Sequence, residues 1–377
     1  MTQRNIHKEK ETDIRELLKV GIKRELPNKT AEKDRQVFLK AGETLNPDWP
    51  EPAGPILITE TDDTYPIQPN VWDNWVAFAY MAFDLLANEI YWKDSPEDDP
   101  STFGDASQKG KIESFAAIGT SNGADAIGAL QAFHDLEQIV ITDISSKALR
   151  VAKQNLRRYL DARESDCEMI ARHGNLCSGL KDLKVDVVYE NLPNIPNGNT
   201  DQGYRAATFH NKSLARKVKL DESKAVDRDI VKYLLLSHYA LLLDAKQVLN
   251  DGGSVICAIG GRVPYGAISE MIKKAGYEFE ELFSGFKLQT ETEEVLQGYA
   301  AAEQKYGVKF DFYDFKQVSG LLAIDMEPPY TKLPGDELKK MLGPLAISAE
   351  YALRLYRKNP SRKFGHVVHM VRAVKRD

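Results

Sequence analysis

The sequence predicts an α/β protein built on a doubly wound, mainly parallel sheet, and three features carry that prediction. From residue 112 onward, short apolar runs alternate with segments of helical periodicity, the pattern of strands buried on both faces by crossover helices. The first run opens into a glycine-bearing turn, Gly119-Thr120-Ser121-Asn122-Gly123, and then directly into a helical stretch. The second run ends in an acid, Asp143, 24 positions beyond the first glycine.

Residues 1–45 alternate acidic and basic side chains around Ile14, Leu17, Leu18 and Ile22, which gives one apolar helical stripe. The proline-rich passage 46–55 excludes a helix. Residues 56–70 begin as a strand and become a loop. Residues 71–92 are apolar on too many faces for a surface helix. An acidic, polar loop follows to 111. The expectation is therefore a mostly helical cap over 1–110 that covers the substrate of a sheet domain spanning 111–377. In that domain strands are expected at 112–118, 138–142, 185–189, 254–259 and 278–286, with helices at 125–133, 146–159, 229–249 and 266–275. A final strand at 366–374 is reached through a helical insertion, 290–362.

Composition narrows the function. At 377 residues the chain has room for two compact units or one enlarged domain, and 42% hydrophobic with 28% charged residues supplies a core. A net charge of −6 gives no broad electrostatic footprint for nucleic acid. Three scattered cysteines (Cys167, Cys177, Cys257) and seven histidines without ligand spacing point to neither a disulfide framework nor a metal site. The longest apolar run stops at Asp84, short of the roughly 20 residues that span a bilayer. The N-terminus has no apolar segment of the signal-peptide kind. The expectation is a cytoplasmic protein with no membrane partner.

Gly119 and Gly123 let the chain turn sharply and let a ligand approach the backbone. Asp143, at the carboxyl end of the neighbouring strand, stands where two hydrogen bonds hold a ribose diol. A dinucleotide and S-adenosylmethionine both fit such a site. A pyrophosphate wants G-x-G-x-x-G, and here the middle glycine is Ser121, which argues against the dinucleotide. A second signal is a buried strand ending in Asn191-Leu192-Pro193-Asn194 at the same sheet edge. The Asn191 amide can accept a hydrogen bond from an acceptor amine and donate one as well.

In order and spacing, the glycine turn, Thr142-Asp143 and Asn191-Leu-Pro-Asn194 resemble class I S-adenosylmethionine-dependent methyltransferases, over about 110–290 and the last strand. A closer likeness runs through 191–199, 249–264 with its Gly260-Gly-Arg262-Val-Pro264 turn, Ala275-Gly-Tyr and Phe310-Asp-Phe-Tyr. It is to the catalytic domain of methionine S-methyltransferases. The resemblance implies a Rossmann-like methyltransferase sheet with S-adenosyl-L-methionine as cofactor. It places Gly119, Thr120, Ser121, Gly123, Asp125, Asp143, Asn175, Leu176 and Asn191 at the cofactor, and Asn191, Pro193 and Asn194 at the reacting centre. The chain departs from the family at three places. The acid usual two residues before the first glycine is Ala117, the middle glycine is Ser121, and the acid that usually meets the adenine amine is Asn175. Asp125 is the group that could replace the missing anion at 117, although an acid there is also an ordinary first-turn residue.

Methyl transfer from a sulfonium is an in-line displacement, so the protein must chiefly align the reactants and exclude water. A thioether has no proton to lose and an amine sheds its proton afterwards. A hydroxyl would need a base that the sequence does not single out. The expected acceptor is a small amino-acid-like molecule, with sulfur or nitrogen favoured. Its carboxylate would meet the planar fork of Arg262 at the crevice edge. Tyr65, Trp72 and Trp75 in the cap could face a cation with their rings, and Tyr204 and His210 follow the asparagine loop. Two further readings stay open. One is methylation of an amide or amine nitrogen of a protein or nucleic acid; the other is a non-catalytic binder that keeps the fold. The segments 1–45 and 290–362 are where a homodimer contact or a lid would form.

Overall fold

The computed structural model describes residues 35–39, 56–67, 74–92, 111–193, 218–327, 330–331 and 333–376. Strands β1 (Arg35–Leu39) and β2 (Ile56–Glu60) form a separate antiparallel pair. The main sheet begins at β3 (Ser114–Ile118), β4 (Gln138–Asp143), β5 (Glu168–His173), β6 (Val185–Glu190) and β7 (Leu249–Gly260). It continues with β8 (Tyr277–Leu288), the short β9 (Tyr313–Asp314), β10 (Met326–Glu327) and β11 (Tyr330–Thr331), and β12 (Phe364–Lys375). Its order is β10-β11-β8-β12-β7-β6-β3-β4-β5, with β9 beside β12. Strands β5, β4, β3, β6 and β7 are mutually parallel, and β12 inserts antiparallel between β7 and β8. The order reverses at β3, which has β4 on one side and β6 on the other, so the crevice at their carboxyl ends is the natural ligand site.

Alternation along the strands builds two cores. Ala116, Ile118, Val140, Val188, Val255 and Cys257 face one layer. Their neighbours Phe115, Ala117, Ile139, Ile141, Val187 and Ile256 face the other. The helix Trp75–Trp92 enters that second layer. Phe83 packs edge-on to Phe115 and Tyr189 at ring separations of 5.3 and 5.1 Å. Tyr80 lies directly over Gly128 and donates from its hydroxyl to Ala124 O at 3.0 Å, fixing this helix to the one that follows the glycine turn.

Several elements differ from expectation. Residues 35–39 are a strand, whereas the helical reading of 1–34 lies outside the described residues. The single helix expected over 229–249 is two, Ala225–Lys232 and Leu236–Ala245, because Leu234 takes a left-handed conformation (φ 60°) between them. The unanticipated β5 is an edge strand with charged ends, so it lacks the apolar run that marks its neighbours. The insertion holds the helices Thr292–Tyr306, Phe315–Asp325, Gly335–Leu342 and Ala349–Lys358, and also β9 to β11. Among the described residues, no helix is long and apolar enough to cross a membrane.

A Cβ at position 128 would meet the Tyr80 ring at 2.1 Å. Tyr80 is fully buried and tied by its hydroxyl, so it cannot retreat. Gly128→Ala should therefore lower stability by about 1–3 kcal/mol, overriding a helix-propensity gain of about 1 kcal/mol. The urea unfolding midpoint checks this.

Candidate functional site

A cavity of about 660 Å³ opens at the carboxyl ends of β3, β4 and β6, a size suited to a small-molecule site. One wall is the glycine turn. Gly119 (φ 71°) and Thr120 both donate their N–H to Thr142 O, at 2.8 and 3.1 Å, folding the turn back over β4. Gly123 (φ 83°) is needed twice over, for its conformation and because a Cβ would lie 2.7 Å from Leu156 Cδ1.

Ser121 is a non-glycine residue in the left-handed region (φ 56°), and its bonds explain why it is tolerated. Its N–H donates to Asp143 Oδ2 at 3.0 Å, and its hydroxyl accepts from Tyr65 N at 2.7 Å. Asn122 Nδ2 donates to Tyr65 O at 3.1 Å. Asn155 Nδ2 donates to both Thr59 O and Asn122 O. The segment after β2 is thus strapped across the turn, and Tyr65 Oη pairs with Thr290 Oγ1 at 3.1 Å on the far rim. A glycine at 121 would forfeit the hydroxyl's bond to Tyr65 N, one of the bonds of the strap.

Asp143 is buried and accepts from Ser121 N and Ser145 N (2.7 Å), each of its oxygens keeping a second lone pair. Burial raises its pKa against the opposing pull of those two N–H groups. Asp125 also lines the cavity. Its Oδ1 accepts from Thr120 Oγ1 (2.6 Å) and Ala126 N (2.7 Å), and no described residue hydrogen-bonds Oδ2. Burial pushes this carboxyl up to about 6, with Asp143 adding to the rise. Asn175 is exposed at the rim, its N–H held by Ser178 Oγ at 2.8 Å. Buried Leu176 beside it is left-handed (φ 51°). Ala117 is fully buried among apolar neighbours and offers the cavity nothing.

Asn191-Leu192-Pro193, at the end of β6, lines the cavity beside the glycine turn. Glu190, wholly buried, shapes it: Oε2 accepts from Leu192 N at 2.8 Å, and Oε1 accepts from His238 Nδ1 at 2.7 Å. Sequence reasoning overlooked both residues, although an acid closing an apolar strand just before Asn191 was the available signal. Tyr189, Ser237, Gln289 and Thr290 line the cavity as well and were also missed. Asn194, Trp72, Tyr204 and His210 lie outside the described residues.

Arg262 lines the cavity but does not present the open fork expected of it. It is 3% exposed. Nη1 donates to Tyr299 Oη (3.2 Å), and Nη2 donates to Gln289 Oε1 (2.6 Å) and His366 Nε2 (2.6 Å). Its guanidinium lies 4.9 Å from the Tyr299 ring centre and 5.6 Å from that of Phe312. Nε is buried without a partner. His366 Nδ1 donates to Val367 O, so Nε2 is free to accept, and burial beside Arg262 holds the imidazole well below its ordinary pKa. Three of five N–H donors are thereby engaged, every one by a neutral group, and no carboxylate of the described residues pairs with Arg262. Tyr65 and Trp75 both reach the cavity, and Lys287 Nζ already sits 5.5 Å from the Trp75 ring centre. Among the described residues no cluster of His, Cys, Asp or Glu is placed to hold a metal.

No protein-family model and no curated protein matches the chain. Solved structures do. A candidate methyltransferase from Bacillus halodurans C-125 is 12% identical over 71% of this chain and 94% of its own, with a TM-score of 0.36. A precorrin-6y C5,15-methyltransferase from Geobacter metallireducens is 10% identical over 70% and 82%, at 0.31. SMU.776, a candidate methyltransferase complexed with SAH, is 9% identical over 93% of this chain and 58% of its own, at 0.39. The strand order, with one antiparallel strand between the fifth and sixth parallel ones, decides the architecture. The chain has a Rossmann-like methyltransferase fold. Identities this low leave the acceptor unspecified.

Removing the imidazole of His238 would leave the buried Glu190 Oε1 without its His238 partner under the Asn191 turn. His238→Ala is expected to cost roughly 1–3 kcal/mol of stability, measured by chemical denaturation.

Proposed function

We propose that the protein is an S-adenosylmethionine-dependent methyltransferase whose acceptor is a small, amino-acid-like molecule bearing a carboxylate. One observation carries the reading. A single cavity is lined by Asp143, Asp125 and the glycine turn, by Asn191, and by a buried guanidinium that pairs with no carboxylate of the described residues.

The residues suit the cofactor. Asp143 retains acceptor capacity for a ribose diol, and left-handed Gly119 leaves the backbone open to a ligand, its nearest neighbour being Leu192 Cδ2 at 3.8 Å from a built Cβ. The unbonded Oδ2 of Asp125 would meet the cofactor's ammonium, standing in for the acid absent at 117. When bound, the cofactor supplies a methyl group already activated on a sulfonium. The protein's own work is alignment: the Glu190-anchored turn fixes Asn191, and the Tyr65 strap bridges the cavity and limits water. A sulfur or nitrogen nucleophile requires no base, in keeping with the acceptor implied by the resemblance to methionine S-methyltransferases. Arg262 would take the acceptor's carboxylate through its uncommitted Nη1 hydrogen or by exchanging the neutral Gln289. Either route suits one oxygen at a time better than a two-pronged clamp.

Calorimetry of S-adenosylmethionine and S-adenosylhomocysteine, with NAD as control, tests the proposal. Micromolar binding of the adenosyl ligands alone is expected, and a folded protein that binds neither would overturn it. In the same assay Asp143→Ala should weaken S-adenosylhomocysteine at least about thirty-fold, the loss of about 2 kcal/mol from hydrogen bonds to a charged acceptor.

Asp125 gives the pH dependence. Its free-state carboxyl titrates at about 6, and a bound ammonium favours the ionised form, so affinity should be full above pH 7 and fall as pH drops through 6. Asp125→Asn should weaken binding at pH 7.5 and flatten the profile between pH 5 and 7.

A further inference from the structure

The loop that carries Arg262 is gripped from outside the sheet. Three consecutive carbonyls, of Gly261, Arg262 and Val263, all receive hydrogen bonds from the 290–362 insertion. Lys339 Nζ, on the helix Gly335–Leu342, donates to Gly261 O at 2.8 Å and to Val263 O at 3.0 Å. The backbone N–H of Asp311 donates to Arg262 O at 2.8 Å. The third ammonium hydrogen of Lys339 goes to Asp311 Oδ2 at 2.5 Å. All three of its donors are thereby satisfied, with a carboxylate beside it to offset the charge.

From below, the loop rests on β12. Gly261 N donates to Val367 O at 2.7 Å, and a Cβ at 261 would meet His369 Nε2 at 2.6 Å, so the backbone lies flat against that imidazole. The insertion also supplies the ring faces around the guanidinium, Tyr299 and Phe312. The same segment thus grips the Arg262 backbone and frames its guanidinium, while Gln289 and His366 hold Nη2.

We infer that Lys339 is the positioning residue for Arg262, and that the 290–362 insertion is a fixed part of the acceptor site rather than a lid over it. The link to the acceptor rests on the reading of Arg262 given above; the clamp itself does not. Lys339 touches neither cofactor nor acceptor and acts through two carbonyls directly, and through Asp311 on the third. Losing its ammonium should let the loop rise from β12 and expose the unpartnered Arg262 Nε.

The Nε–H signals of arginine in the ¹⁵N-labelled full-length protein provide the test, with Arg262 identified by its loss in Arg262→Lys. Lys339→Met should speed solvent exchange of the Arg262 Nε–H at least ten-fold. The Nε–H of Arg372, which donates to Ser254 Oγ at the far end of the sheet, should change less than two-fold. Asp311→Asn, which keeps its backbone bond and removes only the charge, should give a smaller rise of two- to five-fold, and it stands as the test if Lys339→Met does not fold. Exchange equal to wild type in a folded variant of each residue would overturn the inference. S-adenosylhomocysteine affinity, measured alongside, should be unchanged by both substitutions. Exchange raised in the variants while the wild type binds no S-adenosylhomocysteine would remove the methyl-transfer reading and leave the clamp standing.

Discussion

The carboxylate of Asp143 sits where the sheet reverses its strand order, and the geometry of the cavity follows from what that carboxylate holds. Its Oδ2 takes the N–H of Ser121 and its Oδ1 the N–H of Ser145. The first bond keeps the turn in a left-handed conformation that a serine would otherwise resist. The second starts the helix Ser146–Ala162, which packs against Gly123 so closely that no side chain fits there. With the turn so fixed, the Ser121 hydroxyl is available to receive Tyr65 and tie the N-terminal segment across the opening. A glycine-rich turn would be looser here, and the departure at 121 is better understood as an exchange of flexibility for a strap.

Charge is distributed unevenly around the cavity, and burial makes that distribution matter. Asp125 and Asp143 lie on the turn side, and burial raises the pKa of both. Glu190 lies beneath the Asn191 turn with two hydrogen bonds of its own. Arg262, in the same cavity, is enclosed by a phenol, an amide, an imidazole and two aromatic faces. A cation that, among the described residues, is held by neutral groups bears most of its desolvation cost uncompensated, and burial accordingly lowers its pKa. An anion arriving from solution is the cheapest remedy, which supports a carboxylate on the acceptor.

Much of this was legible in the sequence, and the misses share a cause. The strand alternation, the glycine turn and the acid 24 positions on are local patterns, and the sheet reproduces them at β3, β4 and β6. The edge strand β5 escaped because an edge needs no apolar run, and Leu234 broke a helix without a glycine or proline to announce it. Arg262 was misread as an open fork because its neighbours come from far along the chain: Gln289, Tyr299, Phe312 and His366. Position 311 likewise had no legible role until the fold brought it against the Gly260-Gly-Arg turn. Periodicity reveals which face is buried, and it cannot reveal which distant side chain fills the space beside it.

That long-range dependence bears on how the acceptor end can change. On the proposed reading, methyl transfer to a neutral sulfur or nitrogen would leave positive charge on an acceptor that shares the cavity with Arg262. An acceptor without its own anion would therefore build like charge in a low-dielectric site, whereas a carboxylate-bearing one cancels it. On the proposed reading that discrimination would rest on Arg262 staying where it is, held by Lys339, Asp311, Tyr299 and Phe312 of the insertion together with Gln289 and with His366 on β12. If that reading holds, substitutions in the insertion would alter acceptor preference while the glycine turn, Asp143 and the Tyr65 strap remain intact. The residues around Arg262 and those of the glycine turn come largely from separate stretches of chain, and on the proposed reading that separation would let one cofactor site serve different acceptors.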